Sequence, residues 1–309
     1  MNHSFHFPDR FFNSCSGWRD SGLKIFPVFL SLLLLLAGIS GTHAQIRFEG
    51  PSKGYLVISG GNIHQPTLRK FIQLSGKADP RIIVIPTADS DKNLNEAYFL
   101  QIRNYFKTAG AAQIQFLHTR DTLMANSDSF VKVIREADAV WFTGGRQWRL
   151  ADAFLHTRTL EELHHLLERG GVIGGSSAGA SIMGSFLVRG DSKTNQIMEG
   201  DHRLGFNFLK NCAIDQHILQ RNRHFDLAEI HLRYPELLCI GLDANTTLIV
   251  HQNEMEVMGE HYVSIFDGTF WDPDTGEISK LPGNSERFYF LRAGDKYDLS
   301  LRRVILKKR

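Results

Sequence analysis

Four short apolar runs, each closed by glycine or proline, restrict this chain to a narrow set of folds. They are Gly54-Tyr-Leu-Val-Ile-Ser-Gly-Gly61, Arg81-Ile-Ile-Val-Ile-Pro-Thr87, Ala137-Asp-Ala-Val-Trp-Phe-Thr-Gly-Gly145 and Gly171-Val-Ile-Gly174. Runs that are apolar without a break, rather than alternating, suit strands buried on both faces, as in a parallel sheet. Between them, residues 92–109 place Leu94, Ala97, Leu100, Ile102 and Phe106 near helical spacing. Residues 158–169 set Leu160, Leu163, Leu166 and Leu167 on one face with charges opposite. Strand alternating with helix predicts an α/β fold: a doubly wound, mainly parallel sheet flanked by helices. From about residue 247 the texture changes. Thr247-Leu-Ile-Val-His251, Met255-Glu-Val-Met258, Tyr262-Val-Ser-Ile-Phe266 and Phe288-Tyr-Phe-Leu291 are separated by turn-formers such as Asp267-Gly268. These predict C-terminal antiparallel hairpins at the far end of the sheet.

The first 44 residues follow another logic. Lys24 precedes the apolar run Ile25–Ile39, and small residues follow as far as Ala44. Basic flank, apolar core and small-residue end describe a secretory signal peptide, and the run falls short of the ~20 residues a spanning helix needs. Residues 1–44 are therefore expected to be a cleaved leader, and residues 45–309 a single domain, secreted or periplasmic. The formal charge of the whole chain is +2, and loss of Arg10, Arg19 and Lys24 with Asp9 and Asp20 leaves it near neutral. That balance gives no reason to expect nucleic acid or an anionic membrane as partner. Cys212 and Cys239 are the cysteines left after cleavage, too few for a disulfide framework and readable as a pair or as two buried thiols.

Gly175-Ser176-Ser177-Ala178-Gly179 fits G-x-S-x-G with Ser177 at its centre, directly after a strand-like run. In that motif a strand turns sharply into a helix, and small neighbours let the backbone fold back on itself. A serine held there needs a base and donors for an oxyanion. The elbow offers the Ala178 N–H, and Gly145, where no side chain blocks approach, offers a second. Among the histidines, His164 and His165 lie on a charged helix and are expected to be solvated. His217 closes the short run Cys212-Ala-Ile214-Asp-Gln and stands at another strand end. His217, His224 and His231 recur every seven residues, a rise of about 10.5 Å along a helix, too long for shared ligation of zinc. No metal and no cofactor is expected.

Four ordered motifs now carry a resemblance: Gly-x-Ser177-Ala-Gly-Ala180, Phe142-Thr-Gly-Gly-x-Gln147, Arg189-Gly-Asp-Ser192 and Asp215-Gln-His-x-x-Gln-Arg-x-Arg223. Together they resemble cyanophycinase and the related aspartyl dipeptidases, serine peptidases on a flavodoxin-like fold similar to class I glutamine amidotransferases. Gly241-Leu-Asp243 and Ala293-Gly-Asp-Lys-Tyr-Asp-Leu299 match further segments, so the similarity spans most of residues 54–300. The resemblance implies Ser177 as nucleophile and His217 as general base, with Gln147, Asp215, Gln216, Arg221 and Arg223 lining the substrate site. It also implies a partner: a peptide or isopeptide substrate containing aspartate. No nucleic acid and no stable membrane insertion after cleavage are expected, and a homodimer is left open.

Two departures stand out. Asp226 occupies the place of a third arginine of cyanophycinase, and Ala244 the place of a glutamate that follows the aspartate of the Gly-Ile-Asp segment. With that acid absent, Asp191 is the expected partner of His217, because aspartyl dipeptidases place their acid about that far after the serine. Asp215, Asp243 and Glu199 are reserves. Other readings are a catalytically impaired relative acting as a binding protein, and an amidase on a different small amide. Arg189-Gly-Asp-Ser192 also spells an adhesion tetrapeptide, a match too short to carry weight by itself.

Overall fold

The computed structural model describes residues 48–62 and 64–306. The expected leader lies outside the described residues, as do both extreme ends of the domain expected over 45–309. Five parallel strands form the frame: β1 (Tyr55–Ser59), β2 (Arg81–Ile85), β3 (Gln113–Phe116), β4 (Ala139–Phe142) and β5 (Val172–Ser176). Two strands of a separate sheet come next, β6 (Cys212–Gln216) and β7 (Leu238–Leu242). The remainder is β8 (Thr246–His251), β9 (Glu254–Gly259), β10 (Val263–Phe266), β11 (Thr269–Trp271), β12 (Ile278–Lys280), β13 (Tyr289–Leu291), β14 (Lys296–Asp298) and β15 (Arg303–Ile305). The main sheet runs β15-β14-β9-β8-β1-β5-β4-β2-β3. It is parallel from β1 to β3 and antiparallel from β1 through β8 to β15.

The continuous apolar runs divide between two layers as a pleated strand requires, with successive side chains on opposite faces. Leu56 and Ile58, Ile83 and Ile85, Val140 and Phe142 face the larger core. Val57, Ile82 with Val84, and Ala139 with Trp141 face the smaller one, beneath the helices Gln65–Leu74 and Glu96–Thr108. Each face is thus covered, the doubly wound arrangement. The helix Arg158–Glu168 buries Leu163, Leu166 and Leu167 as its spacing requires. His164, expected in solvent, instead packs partly buried with its Nε2 3.0 Å from the Phe206 carbonyl oxygen.

The second sheet, in the order β13-β10-β7-β6, is an arrangement the strand pattern does not reveal. The expected hairpins therefore divide: β8 and β9 extend the main sheet, whereas β10 and β13 join the second. Cys212 and Cys239 stand on the neighbouring strands β6 and β7 as free, buried thiols. Burial pushes the Cys212 thiol up to about 12, so it stays protonated and inert as a nucleophile.

Candidate active site

Three strand ends of the main sheet and one of the second meet at Ser177. β5 delivers the serine, which adopts φ 55° and ψ −116° before the short helix Ala178–Ser181. A non-glycine residue held there stores on the order of 1–3 kcal/mol of strain, and the surroundings enforce it. The Ser177 N–H donates to the Ser59 carbonyl oxygen at 3.0 Å, tying the elbow to the end of β1. A side chain at position 179 would meet the Phe142 carbonyl oxygen at 2.3 Å, and one at 175 the Gly179 oxygen at 2.6 Å. The small residues of the motif are therefore a steric necessity of the turn.

β6 delivers His217, whose N–H donates to the Gly60 carbonyl oxygen at 3.1 Å. Its Nε2 lies 2.9 Å from Ser177 Oγ, across the gap between the two sheets. Gly61 makes room for the ring: a Cβ there would stand 2.1 Å from His217 Cε1 and 2.4 Å from Nδ1. Gly61→Ala is accordingly expected to swing the imidazole away from Ser177 and lower turnover by roughly 100-fold or more, the scale of an ångström-level misplacement. Steady-state kinetics beside an unchanged circular dichroism spectrum would check it. Burial, then the positive charge of Arg221, hold His217 below the usual histidine range, so the imidazole is a neutral base at neutral pH.

Among the described residues, the N–H groups of Gly145 and Ala178 meet no hydrogen-bond acceptor. Gly145 follows Gly144, whose own added Cβ would lie 3.3 Å from Ser177 Cβ, and Ala178 directly follows the serine, so both free donors belong to residues beside the elbow. The arrangement suits an oxyanion, with donors already in place when charge develops.

The expected orienting acid is elsewhere. Asp191 Oδ2 accepts the Thr194 N–H at 2.6 Å, capping its own turn, and makes no contact with His217. Gln220 Oε1 takes that position, 2.9 Å from His217 Nδ1. The reserves are occupied too. Glu199 binds Arg203, Arg233 and Tyr234, and Asp243 accepts the N–H groups of Leu219 and Gln220, both at 3.0 Å.

Two expected substrate-lining residues are committed to structure. Gln147 is buried and donates from Nε2 to the Val188 carbonyl oxygen at 2.9 Å. Asp215 is fully buried and receives Arg189 Nε at 2.9 Å and Nη2 at 3.0 Å. Arg189 also binds Asp226, and its side chain is 1% exposed. That burial withholds the arginine an adhesion motif would have to display. Arg223 fares differently. It is 6% exposed, and its Nη1 is buried with no hydrogen-bond partner, as is Gln216 Oε1. Arg189 holds both nearby carboxylates, which leaves Arg223 a buried cation facing an incomplete set of partners. Burial and the neighbouring Arg189 charge hold it below the usual arginine range. Arg221 is solvent-exposed beside it. Among the described residues no three His, Cys, Asp or Glu side chains gather as metal ligands.

The proteins this chain resembles are cyanophycinases and peptidases. The chain is 28% identical to the cyanophycinase of Geminocystis herdmanii over 79% of its own length and 92% of the relative's. It is likewise 28% identical to a Nostoc cyanophycinase, covering 84% and 91% of the two chains. Its fold matches the crystal structure of a peptidase from an acI-B1 Actinobacterium with a TM-score of 0.60, at 22% identity over 81% of this chain and 98% of that one. A putative peptidase E protein from Listeria monocytogenes matches with a TM-score of 0.50 and 13% identity, over 68% of this chain and all of that one. The sequence model of peptidase family S51 matches residues 55–258, from the first residue of β1 through the elbow and the histidine turn into β9, and on that span the chain belongs to peptidase family S51.

Proposed function

We propose that this peptidase is of the serine type and cleaves peptide or isopeptide bonds beside an aspartyl residue. The observation that carries the reading is the 2.9 Å contact between Ser177 Oγ, on a strained elbow, and His217 Nε2. His217 takes the hydroxyl proton as Ser177 attacks the carbonyl, the Ala178 and Gly145 N–H groups receive the oxyanion, and His217 returns the proton to the leaving amine. Water then hydrolyses the acyl-enzyme by the same path. Arg223 supports the aspartyl preference: a buried guanidinium with a vacant donor is suited to a carboxylate, which it can bind bidentately. The apolar leader-like segment before residue 45 supports work outside the cytoplasm.

The test is a panel of α- and β-aspartyl dipeptides, cyanophycin and alanyl controls, assayed with wild type and Arg223→Met. Aspartyl substrates should be cleaved and alanyl analogues spared. Arg223→Met should raise KM for aspartyl substrates by about 10- to 100-fold, the worth of a charged hydrogen bond, without lowering the melting temperature. Equal cleavage of the alanyl analogues would remove the aspartyl part of this reading.

A further inference from the structure

We propose that Gln220 orients His217 in place of a carboxylate, and that Asp243 holds the turn that presents it. The inference rests on the serine–histidine reading above and extends it to the residue that acts through the base. A carboxamide oxygen can only accept. With Gln220 Oε1 2.9 Å from His217 Nδ1, that nitrogen carries the proton, and the Nε2 lone pair is left facing Ser177 Oγ. The tautomer needed for general-base action is thereby fixed without a negative charge.

The turn bearing Gln220 is held from beneath. One carboxylate oxygen of Asp243 accepts the N–H groups of both Leu219 and Gln220, and its other oxygen lies 2.8 Å from His261 Nδ1. Asp243 directly follows the last residue of β7 and immediately precedes Ala244, whose methyl offers no hydrogen bond. An aspartate locking two backbone amides and a glutamine facing the ring together occupy the task that one acid side chain performs in a Ser-His-acid triad.

The electrostatic consequence is specific. The charged groups acting on His217 are Arg221 and Arg223, which disfavour the imidazolium, and Asp215, which favours it. Asp215 is bound by Arg189, and neither Gln220 nor Ser177 adds charge. His217 is held below the ordinary histidine value of 6.5, so the acid limb of activity should lie below that pH. A carboxylate at position 220 would favour the imidazolium, raise the histidine, and move the acid limb to higher pH.

The experiment compares wild type, Gln220→Leu and Gln220→Glu by fluorophosphonate labelling rate and by kcat and KM across pH. Gln220 is exposed, so these changes spare the core. Gln220→Leu should lower the labelling rate and kcat about 10- to 100-fold with KM little changed, less than the ~10⁴ that follows loss of a buried triad acid. Gln220→Glu should restore the rate and shift the acid limb upward. Nitrogen-15 spectra should show Nδ1 protonated in wild type and a tautomer mixture in Gln220→Leu. Wild-type rates, limbs and tautomer in both variants would overturn the inference while leaving the serine–histidine pair standing. Failure of the wild type itself to label would remove that pair, and this inference with it.

Discussion

Ser177→Ala is expected to lower turnover by about 10⁶-fold, the scale on which serine hydrolases lose activity when serine or histidine is removed alone. The change deletes one oxygen from a residue whose backbone is fixed by Ser59 and by close approach to the strand β4. The fold should therefore survive, and the melting temperature should hold. Residual turnover would come from the Gly145 and Ala178 donors, which the substitution does not touch. Ser176 makes the comparison sharp, because it is the last residue of β5 and sits outside the elbow. Ser176→Ala should retain labelling and most activity. Matched losses from the two serines, measured at equal concentration of folded protein, would count against the elbow.

The largest loss of stability is expected at Arg189. Its guanidinium compensates Asp215, which has no exposure at all, and spans from the loop after the elbow helix to β6 and Asp226. Removing one member of a buried ion pair strands the other, at a cost of about 3–5 kcal/mol. At about 2–4 °C per kcal/mol for a domain of this size, Arg189→Met should lower the melting temperature by roughly 6–20 °C. Arg189→Met combined with Asp215→Leu should recover much of that loss, because neither member of the pair is then left buried without the other. If the single variant melts with the wild type, the pair contributes nothing and Asp215 finds another cation. Calorimetry on the three proteins decides between these outcomes.

The parallel frame was legible because burial on both faces leaves a plain imprint. The runs that became β1, β2, β4 and β5 hold scarcely a polar residue, and glycine or proline marks where each must stop. The edge strand Gln113–Phe116 is short and mostly outside the core, so its residues carry no such imprint. The division into two sheets was hidden for another reason. Leu238-Cys-Ile-Gly-Leu242 and Val263-Ser-Ile-Phe266 are apolar whichever sheet they join, and partner choice is set by where the loops carry them. Ser177 and His217 were singled out by motif and strand-end logic, which fix backbone position well. Side-chain direction is another matter. Fourteen residues of separation permitted Asp191 to reach His217, yet its carboxylate turns back to cap Thr194. Gln220 was missed because an exposed glutamine in a turn has no signature of burial, charge or period, and only its contact with the ring gives it meaning.

The strained backbone at Ser177 also bears on how such a site persists. A glycine at 177 would adopt φ 55° without the steric cost a side chain bears there, so drift toward glycine would leave a more stable protein. A lineage that had given up turnover and kept this scaffold for binding alone would have nothing to hold it against that drift. Stability lost at one residue is retained across generations only where the hydroxyl it displays returns something to the cell. The elbow is thus a standing cost of on the order of 1–3 kcal/mol, one that a scaffold serving for binding alone has no need to carry.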